Sequence, residues 1–186
     1  MNTEYLKMIN GELYNAQDAH LKKLRRDARI VVDAFNSMPF SDELEANKLL
    51  KNLFKAMGTN SRIKKPVYFD YGINISLGDN FYANYDCVFL DVAPIVIGHN
   101  VMLGPRVSLF TATHPLDVTT RNSGLEGGKP IVIGNNVWIG GNTVINPGVT
   151  IGDNTVIGAG SVVTKNIPPN VIAVGNPCRI LRKITE

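Results

Sequence analysis

Residues 131–166 repeat a six-residue unit and read, one hexad at a time, IVIGNN, VWIGGN, TVINPG, VTIGDN, TVIGAG and SVVTKN. The third position of every hexad is a branched aliphatic residue: Ile133, Ile139, Ile145, Ile151, Ile157 and Val163. The fourth position is glycine in four of the six hexads, and the first is β-branched or small. A period of six matches neither a helix nor simple strand alternation. It is typical of a short strand followed by a tight corner, repeated many times.

Three such hexads close one triangular coil, so that residues eighteen positions apart stack on each other. Ile133 would then lie over Ile151, and Ile139 over Ile157. Neighbouring coils would be separated by ~4.8 Å, the usual distance between paired strands. A β-sandwich with frequent glycines is the alternative, but it would not keep the period so strictly. The repeat therefore predicts a mainly β chain folded as a parallel β-helix.

A weaker version of the repeat occurs earlier in the chain, at Leu77-Gly78 and again at Ile97-Gly98. These two blocks are out of phase by two residues, around Asp91 to Ile95. We expect the β-helix domain to span residues 59–186 and to include a C-terminal tail.

Residues 1–58 are predicted to form an N-terminal helical segment. Leu21, Leu24, Ala28, Val31, Val32 and Phe35 recur at spacings of three and four, as on one face of a helix. Pro39 is expected to end this helix. Asp42 and Glu45 resemble a capping box for a second helix, which Gly58 is expected to stop.

Composition narrows the classes of function. The chain has 186 residues, 44% of them hydrophobic, and a formal net charge of +3. That charge is too small to indicate a nucleic-acid partner. No stretch approaches the ~20 apolar residues that span a bilayer, and the N-terminus does not resemble a secretory signal. Two widely separated cysteines, Cys87 and Cys178, suit reduced thiols. We therefore expect a soluble, cytoplasmic protein.

The basic residues near the N-terminus fall on the first predicted helix. They are Lys22, Lys23, Arg25, Arg26 and Arg29. Such a run is most often a solvated helix face. The alternative is that one of them lines a site.

The repeat lapses at about residues 110–130, where the chain is polar, rich in glycine and too long for a simple corner. Insertions at the corners of a solenoid often carry function. This insert contains His114, followed by Pro115, which stiffens the backbone beside the imidazole. A loop histidine that merely bonds to backbone is the alternative. Because histidine titrates near neutral pH, we favour a general base.

Other chemistries find no support in the sequence. The three histidines show no metal-ligand spacing, so no metal site is expected. No serine lies in a G-x-S-x-G elbow, and no phosphate-binding G-x-x-x-x-G-K-[ST] motif is present.

The chain resembles the hexapeptide-repeat acetyltransferases and, within them, the maltose and galactoside O-acetyltransferases. The segments that carry the resemblance are residues 8–14, 70–75, 80–86, 111–115, 133–140 and 174–179. Residues 111–124 are more similar to the maltose enzymes than to the galactoside enzymes. The resemblance implies a left-handed β-helix that forms a homotrimer. Its active sites lie between subunits, and acetyl-coenzyme A lies along the groove between their β-helices.

The resemblance also implies roles for individual residues. His114 would deprotonate the acceptor hydroxyl for direct transfer, without an acyl-enzyme. The acceptor contacts would be Asp70, Tyr82 and Asn84, with Asp91 as a further candidate. The coenzyme contacts would be Trp138, Gly140, Gly141, Ala159, Thr164, Lys165, Arg179 and Arg182.

Several of these assignments have plainer alternatives. Asn84 occupies a hexad corner, where asparagine is favoured for turn geometry alone. Trp138 could simply fill a corner, and the basic residues near the C-terminus could be solvated. Gly141 stands where the galactoside enzymes have a serine, which leaves only its amide as a hydrogen-bond donor there.

The sequence therefore predicts an acetyl-coenzyme A-dependent O-acetyltransferase acting on a small sugar of the maltose, glucose or galactoside type. One alternative is an acetyltransferase for another acceptor, such as an antibiotic, an oligosaccharide or an amine. A second is a non-catalytic β-helix that only binds. Such a scaffold would need neither His114 nor a polar insert.

Overall fold

The computed structural model describes residues 2–184, in which a helical segment precedes a parallel β-solenoid of about six turns. Short strands form three flat faces along the solenoid, and the chain visits the first, second and third face in turn. The first face contains β2 (Ala56–Met57), β5 (Ile75–Leu77), β8 (Ile95–Ile97), β13 (Ile131–Ile133) and β16 (Thr150–Ile151).

The second face is the longest, because an antiparallel strand extends it at the C-terminal end. Its strands are β3 (Arg62–Ile63), β6 (Tyr82–Ala83), β9 (Met102–Leu103), β14 (Trp138–Ile139), β17 (Val156–Ile157), β19 (Val171–Val174) and β20 (Arg179–Lys183). The third face contains β4 (Val67–Phe69), β7 (Cys87–Leu90), β10 (Ser108–Phe110), β15 (Val144–Ile145) and β18 (Val162–Val163).

The stacking predicted from the hexads is confirmed. Ile133 pairs with Ile151, and Ile139 pairs with Ile157. Ile145 pairs with Val163 on the third face. These aliphatic side chains are all buried along the solenoid axis. Because each coil buries its interior against its neighbours, the coils stabilise one another.

The early coils are two residues longer than the later ones. Leu77 pairs with Ile97, twenty positions on, whereas Ile133 pairs with a residue only eighteen positions on. The two extra residues lie at the edge where the third face turns into the first, in residues 70–74 and 91–94. The insert at residues 111–130 leaves from the same edge. All of this extra length therefore projects from one edge of the prism.

The N-terminal segment contains α1 (Thr3–Ile9), β1 (Tyr14–Asn15), α2 (Ala19–Ser37), a 3₁₀ turn (Phe40–Asp42) and α3 (Glu43–Leu53). The first predicted helix is confirmed as α2, which ends just before Pro39. Its buried face joins the solenoid core through Ala28, Val32 and Phe35, so α2 covers the open end of the first coil. Among residues 2–184, no helix is both long enough and apolar enough to cross a membrane.

The details of the second helix differ from the prediction. Asp42 precedes α3, but its side chain makes no capping hydrogen bond there. The helix ends at Leu53 rather than at Gly58, and Met57 already belongs to the first solenoid strand. Gly58 instead forms a corner, where a Cβ atom would lie 2.4 Å from the carbonyl carbon of Gly78. The glycine is therefore needed because two stacked corners touch.

A ladder of asparagine side chains runs along the edge between the first and second faces. Its members are Asn60, Asn80, Asn100, Asn136, Asn154 and Asn170, and their φ angles lie between +56° and +61°. Each amide except that of the last member, Asn170, donates to the asparagine of the next coil, as from Asn100 to Asn136 at 3.0 Å and from Asn136 to Asn154 at 2.9 Å. Asparagine suits this position because it tolerates positive φ and can both donate and accept.

Replacement of Asn136 by alanine is expected to lower the free energy of unfolding by about 2 kcal/mol. The variant loses two ladder hydrogen bonds. It also places alanine at a positive φ angle, which asparagine tolerates better because its polar side chain can form hydrogen bonds there. Asn136→Gly keeps the backbone conformation accessible and should lose about half as much. Denaturant unfolding of both variants measures the difference, and equal stability of Asn136→Ala and wild type would contradict the ladder as a stabilising element.

Candidate active site

His114 lies on the insert, one residue beyond β11 (Ala112–Thr113), and its side chain is exposed. The turn that follows is braced by Arg121 on the short helix α4 (Val118–Asn122). Arg121 Nη1 donates to the carbonyl oxygens of Pro115 and Leu116, at 3.1 Å each. The insert therefore holds the backbone next to the imidazole through contacts of its own.

A small antiparallel sheet connects the insert to the N-terminal segment. Strand β12 (Leu125–Gly128) pairs on one side with β11 and on the other with β1. Thr113 lies opposite Gly127, and His114 follows directly after this pair. On the other side of β12, Glu126 lies opposite Tyr14. Tyr14 and Glu126 thus form one row across the sheet, and His114 lies just beyond the end of the neighbouring strand β11.

A polar cavity of about 290 Å³ opens beside this row. The N-terminal segment, two solenoid corners and the insert all contribute to its wall. Its lining residues are Tyr14, Ala16, Gln17, Arg25, Asp70, Tyr71, Val92 and Glu126. The structure therefore brings the predicted acceptor residue Asp70 to the same wall as residues that lie far away in sequence.

Hydrogen bonds fix the geometry of the cavity wall. The buried Tyr14 hydroxyl donates to Glu126 Oε2 at 2.9 Å. Arg25 donates through Nη1 to the Tyr71 hydroxyl at 2.5 Å and through Nη2 to the Ala16 carbonyl at 2.6 Å. Of the basic residues on the first predicted helix, Arg25 is thus the one that lines the cavity.

The Asp70 carboxylate faces this cavity and is half-buried. Removal from water raises the pKa of Asp70 above its usual value, while the charge of Arg25 acts in the opposite direction. Glu126 adds a second negative charge that also raises the pKa of Asp70. The cavity therefore contains two carboxyl groups that influence each other.

Asp91 lies beneath Asp70 and is completely buried. Its Oδ1 accepts hydrogen bonds from the backbone amides of Asp70 at 3.1 Å and Tyr71 at 2.8 Å, and Oδ2 accepts one from Asn74 at 3.4 Å. Burial raises the pKa of Asp91 to about 7, although these hydrogen bonds act to lower it. The sequence names Asp91 as a candidate acceptor contact, but its carboxylate accepts from the backbone of residues 70–74, and the residues that line the cavity are its neighbours Asp70, Tyr71 and Val92.

Two other predicted acceptor residues, Tyr82 and Asn84, lie elsewhere on the chain. Tyr82 and Trp138 point outward from the second face, with Met102 between them. Trp138 is 53% exposed. Asn84 follows at the edge between the second and third faces, where its Oδ1 accepts from the Tyr85 amide at 2.8 Å. In a triangular prism, the second face is opposite the edge that carries His114, so one chain keeps the two groups apart.

The edge between the second and third faces also carries Gly140, Gly141 and Ala159. A Cβ atom on Gly140 would lie 2.5 Å from the Ala159 nitrogen, so the coil above requires this glycine. The Gly140 amide donates to the Ile157 carbonyl at 2.8 Å. Within residues 2–184, no acceptor receives the amide hydrogens of Gly141 or Ala159. These two N–H groups are therefore available to a bound molecule.

Basic residues gather at the C-terminal end of the solenoid. Lys165 and Arg179 line one cleft of about 390 Å³, together with Asn166, Ile167, Cys178 and Ile180. Thr164 is the exposed neighbour of Lys165, and Arg182 is exposed further along β20. Over the described part of the chain, no group of three or more histidine, cysteine or acidic side chains is arranged to hold a metal ion.

Sequence reasoning did not single out Tyr14, Arg25 or Glu126 as individual site residues. Glu126 falls within the polar insert, and Arg25 is one of the five basic residues of the first predicted helix. The contact between Tyr14 and Glu126 joins positions 112 residues apart, and that between Arg25 and Tyr71 joins positions 46 apart. No local pattern announces contacts over such distances.

Two family models match the chain. The "Maltose acetyltransferase hexapeptide capping motif" covers residues 7–58, and the "Bacterial transferase hexapeptide (six repeats)" covers residues 130–165. The galactoside O-acetyltransferase of Escherichia coli (strain K12) is 46% identical over 176 residues, which are 95% of this chain and 87% of that protein.

Solved structures agree along the whole length. A maltose O-acetyltransferase from Clostridium difficile 630 has 51% sequence identity and a TM-score of 0.98, covering 100% of this chain and 99% of its own. A galactoside acetyltransferase in complex with coenzyme A has 43% identity and a TM-score of 0.95, covering 100% of this chain and 92% of its own.

Proposed function

The chain belongs to the maltose and galactoside O-acetyltransferases of the hexapeptide-repeat superfamily, and we propose that it transfers an acetyl group from acetyl-coenzyme A to a hydroxyl of a small sugar. The observation that carries this proposal is the position of His114. It follows directly after Thr113, which pairs with Gly127, the neighbour of Glu126, and Glu126 and Asp70 line one polar cavity. The site thus combines a candidate base with hydrogen-bond partners for hydroxyl groups.

In the proposed reaction, His114 accepts the proton of the acceptor hydroxyl while that oxygen forms a bond to the thioester carbonyl carbon. The carbonyl oxygen becomes an oxyanion, which a backbone amide stabilises. The carbon–sulfur bond then breaks, and the coenzyme thiolate leaves with the proton from the imidazolium. A positioned base typically contributes ~10²–10⁴-fold, and one oxyanion donor contributes ~10²–10³-fold.

Both cysteines are poor nucleophiles, which supports direct transfer over an acyl-enzyme. Cys87 and Cys178 are buried. Burial raises the pKa of Cys87 to about 11 and also raises the pKa of Cys178. Because the thiolate is the reactive form, neither side chain is prepared for attack.

We assign the oxyanion donor to the amide of Gly141. Its neighbour Gly140 already donates within the solenoid, whereas the Gly141 hydrogen has no acceptor within residues 2–184. The related galactoside acetyltransferase was solved with coenzyme A. In this chain, Trp138, Gly140 and Ala159 would flank the thioester arm. Thr164, Lys165, Arg179 and Arg182 would meet the phosphates, for which cationic side chains are suited.

We further propose that the active chain is a homotrimer with sites between subunits. Tyr82, Asn84 and Trp138 lie on the second face or its far edge, opposite the edge that carries His114. A site that uses both groups therefore needs two copies of the chain. The exposed Met102 and Trp138 give the second face an apolar surface for such a contact.

The test is an acceptor panel in which acetyl-coenzyme A-dependent thiol release is followed with maltose, glucose, galactosides, amino sugars and aminoglycosides. We expect release with the neutral sugars and an O-acetyl product by NMR, together with a trimer mass in solution. Release with amines alone would favour the alternative acceptor class. No release with any hydroxyl or amine compound would overturn the proposed function.

A further inference from the structure

We propose that Glu126 sets the charge preference of the acceptor site, so that the enzyme accepts neutral, hydroxyl-rich rings and rejects sugars that carry a carboxylate or phosphate. This inference rests on the proposed function and adds a specificity-determining residue to it. It follows from the carboxylate oxygens in the cavity wall that accept no hydrogen bond within residues 2–184.

Glu126 is held in one orientation by the N-terminal segment. Tyr14 is completely buried, and its hydroxyl donates to Oε2 of Glu126 at 2.9 Å. The two residues also lie opposite each other in the pairing of β1 with β12. Within residues 2–184, no donor reaches Oε1 of Glu126. One carboxylate oxygen is therefore fixed, and the other is left for a ligand.

Asp70 provides a second unfilled carboxylate in the same cavity. Its backbone amide is bonded to Asp91, but none of the donors in the described chain reaches its side-chain oxygens. A carboxylate that loses water without gaining donors is destabilised, in line with the raised pKa of Asp70. Asp70 and Glu126 therefore both offer carboxylate oxygens to the hydroxyl groups of a ligand.

Arg25 is the cation in the cavity wall, and two of its five N–H groups hold the wall together. One Nη atom bonds to the Tyr71 hydroxyl and the other to the Ala16 carbonyl, while the guanidinium lies 5.6 Å from the centre of the Tyr71 ring. Its single positive charge shares the cavity wall with the carboxyl groups of Asp70 and Glu126. An anionic group brought by a ligand would therefore meet two like charges and one opposite charge.

Sugar chemistry decides between the possible ligands. Each hydroxyl of a neutral pyranose can donate to Asp70 or Glu126. A phosphate or carboxylate on the ring brings only further acceptors and a like charge, which costs several kcal/mol at binding surfaces, or ~10²-fold in affinity. The acceptor class that fits is therefore a neutral polyol ring.

The experiment compares kcat/KM for glucose with that for two anions, α-glucose 1-phosphate, which is charged at C1, and glucuronate, which is charged at C6. In the wild type we expect both anions to be at least ~10²-fold poorer acceptors than glucose. In Glu126→Gln, KM for glucose should rise by ~10-fold as one charge-assisted hydrogen bond is weakened. The preference over glucose 1-phosphate should narrow to ~10-fold or less, with KM for acetyl-coenzyme A unchanged.

Two further variants separate charge from structure. Tyr14→Phe keeps the carboxylate but releases it, so KM for glucose should rise while the preference against the anions persists. Glu12→Gln, an exposed change outside the cavity, should leave all constants unchanged. The same ratio of anion to glucose in Glu126→Gln as in wild type would overturn the role of Glu126, even if glucose is acetylated. A wild type that acetylates no sugar would instead overturn the proposed function itself.

Discussion

His114→Ala is expected to lower kcat for sugar acetylation by ~10²–10⁴-fold, the usual contribution of a positioned general base. Without the imidazole, the acceptor hydroxyl keeps its proton while it attacks the thioester, so the attack is slower. KM values should change little, because the cavity residues Asp70 and Glu126 and the C-terminal basic cleft remain in place. Steady-state kinetics of thiol release from acetyl-coenzyme A, with saturating sugar, measures the effect.

The control for this variant is a second exposed histidine. His20 is the second residue of α2, and its ring lies edge-on to that of Tyr5, with 6.4 Å between the ring centres. His20→Ala should therefore keep the full rate. Thermal unfolding and solution mass of His114→Ala should match wild type, since the His114 side chain is exposed. A His114→Ala enzyme with full activity would show that another group removes the proton.

Asp91→Ala should destabilise the fold by about 3 kcal/mol, the largest stability effect expected from a single polar side chain here. The change leaves the backbone amides of Tyr71 and Asn74 buried with no acceptor from that side chain. Each orphaned buried donor costs about 1–3 kcal/mol. The Asp70 corner should loosen as well, so KM for the sugar should rise. Denaturant unfolding and acceptor kinetics together measure both effects.

Asp91→Asn is the matched control, because its side-chain oxygen can still accept from the amides of Asp70 and Tyr71. It should lose less than half of the stability that Asp91→Ala loses. Stability equal to wild type in Asp91→Ala would contradict the structural role of this carboxyl group.

The pH dependence of the free energy of unfolding, compared between Asp91→Asn and wild type, checks the ionisation of Asp91. Its pKa is about 7 in the folded chain, against an ordinary value of 3.8. The folded state therefore holds a proton that the unfolded state releases, so this contribution is complete below about pH 4 and declines as pH rises through 7. The stability of Asp91→Asn relative to wild type should thus improve from pH 4 to pH 7. A constant difference over that window would mean that Asp91 ionises normally.

The solenoid itself could be predicted from the sequence because its determinants are local and repeated. The pairing of Ile133 with Ile151 follows directly from counting hexads. The two-residue shift near Asp91 was also visible, and it corresponds to the longer corners of the early coils. The end of the second helix was placed wrongly, because Gly58 satisfies the packing of stacked corners rather than the end of a helix.

The site was less predictable, because its parts come from distant positions. The polar insert and His114 stood out because they interrupt a regular pattern. Asp70 and Asp91 could not be told apart by residue type, although one lines the cavity and the other is enclosed beneath it. That difference depends on the fold of residues 70–74 around the Asp91 carboxyl group. Tyr14 and Glu126 meet only once the insert has paired with the N-terminal segment.

Because the extra length of the coils lies at one edge of the prism, the insert and the stacked strands that stabilise the solenoid occupy different stretches of the sequence. The buried aliphatic residues of successive coils stack on one another. Residues 111–130 leave this stack, and the chain then rejoins it in register, with Ile131 paired to Ile95. Substitutions in residues 111–130 can therefore occur while the stack of aliphatic residues stays unchanged. Sequence changes in the insert can therefore alter the part of the site that carries His114 without changing the buried aliphatic positions of the coils.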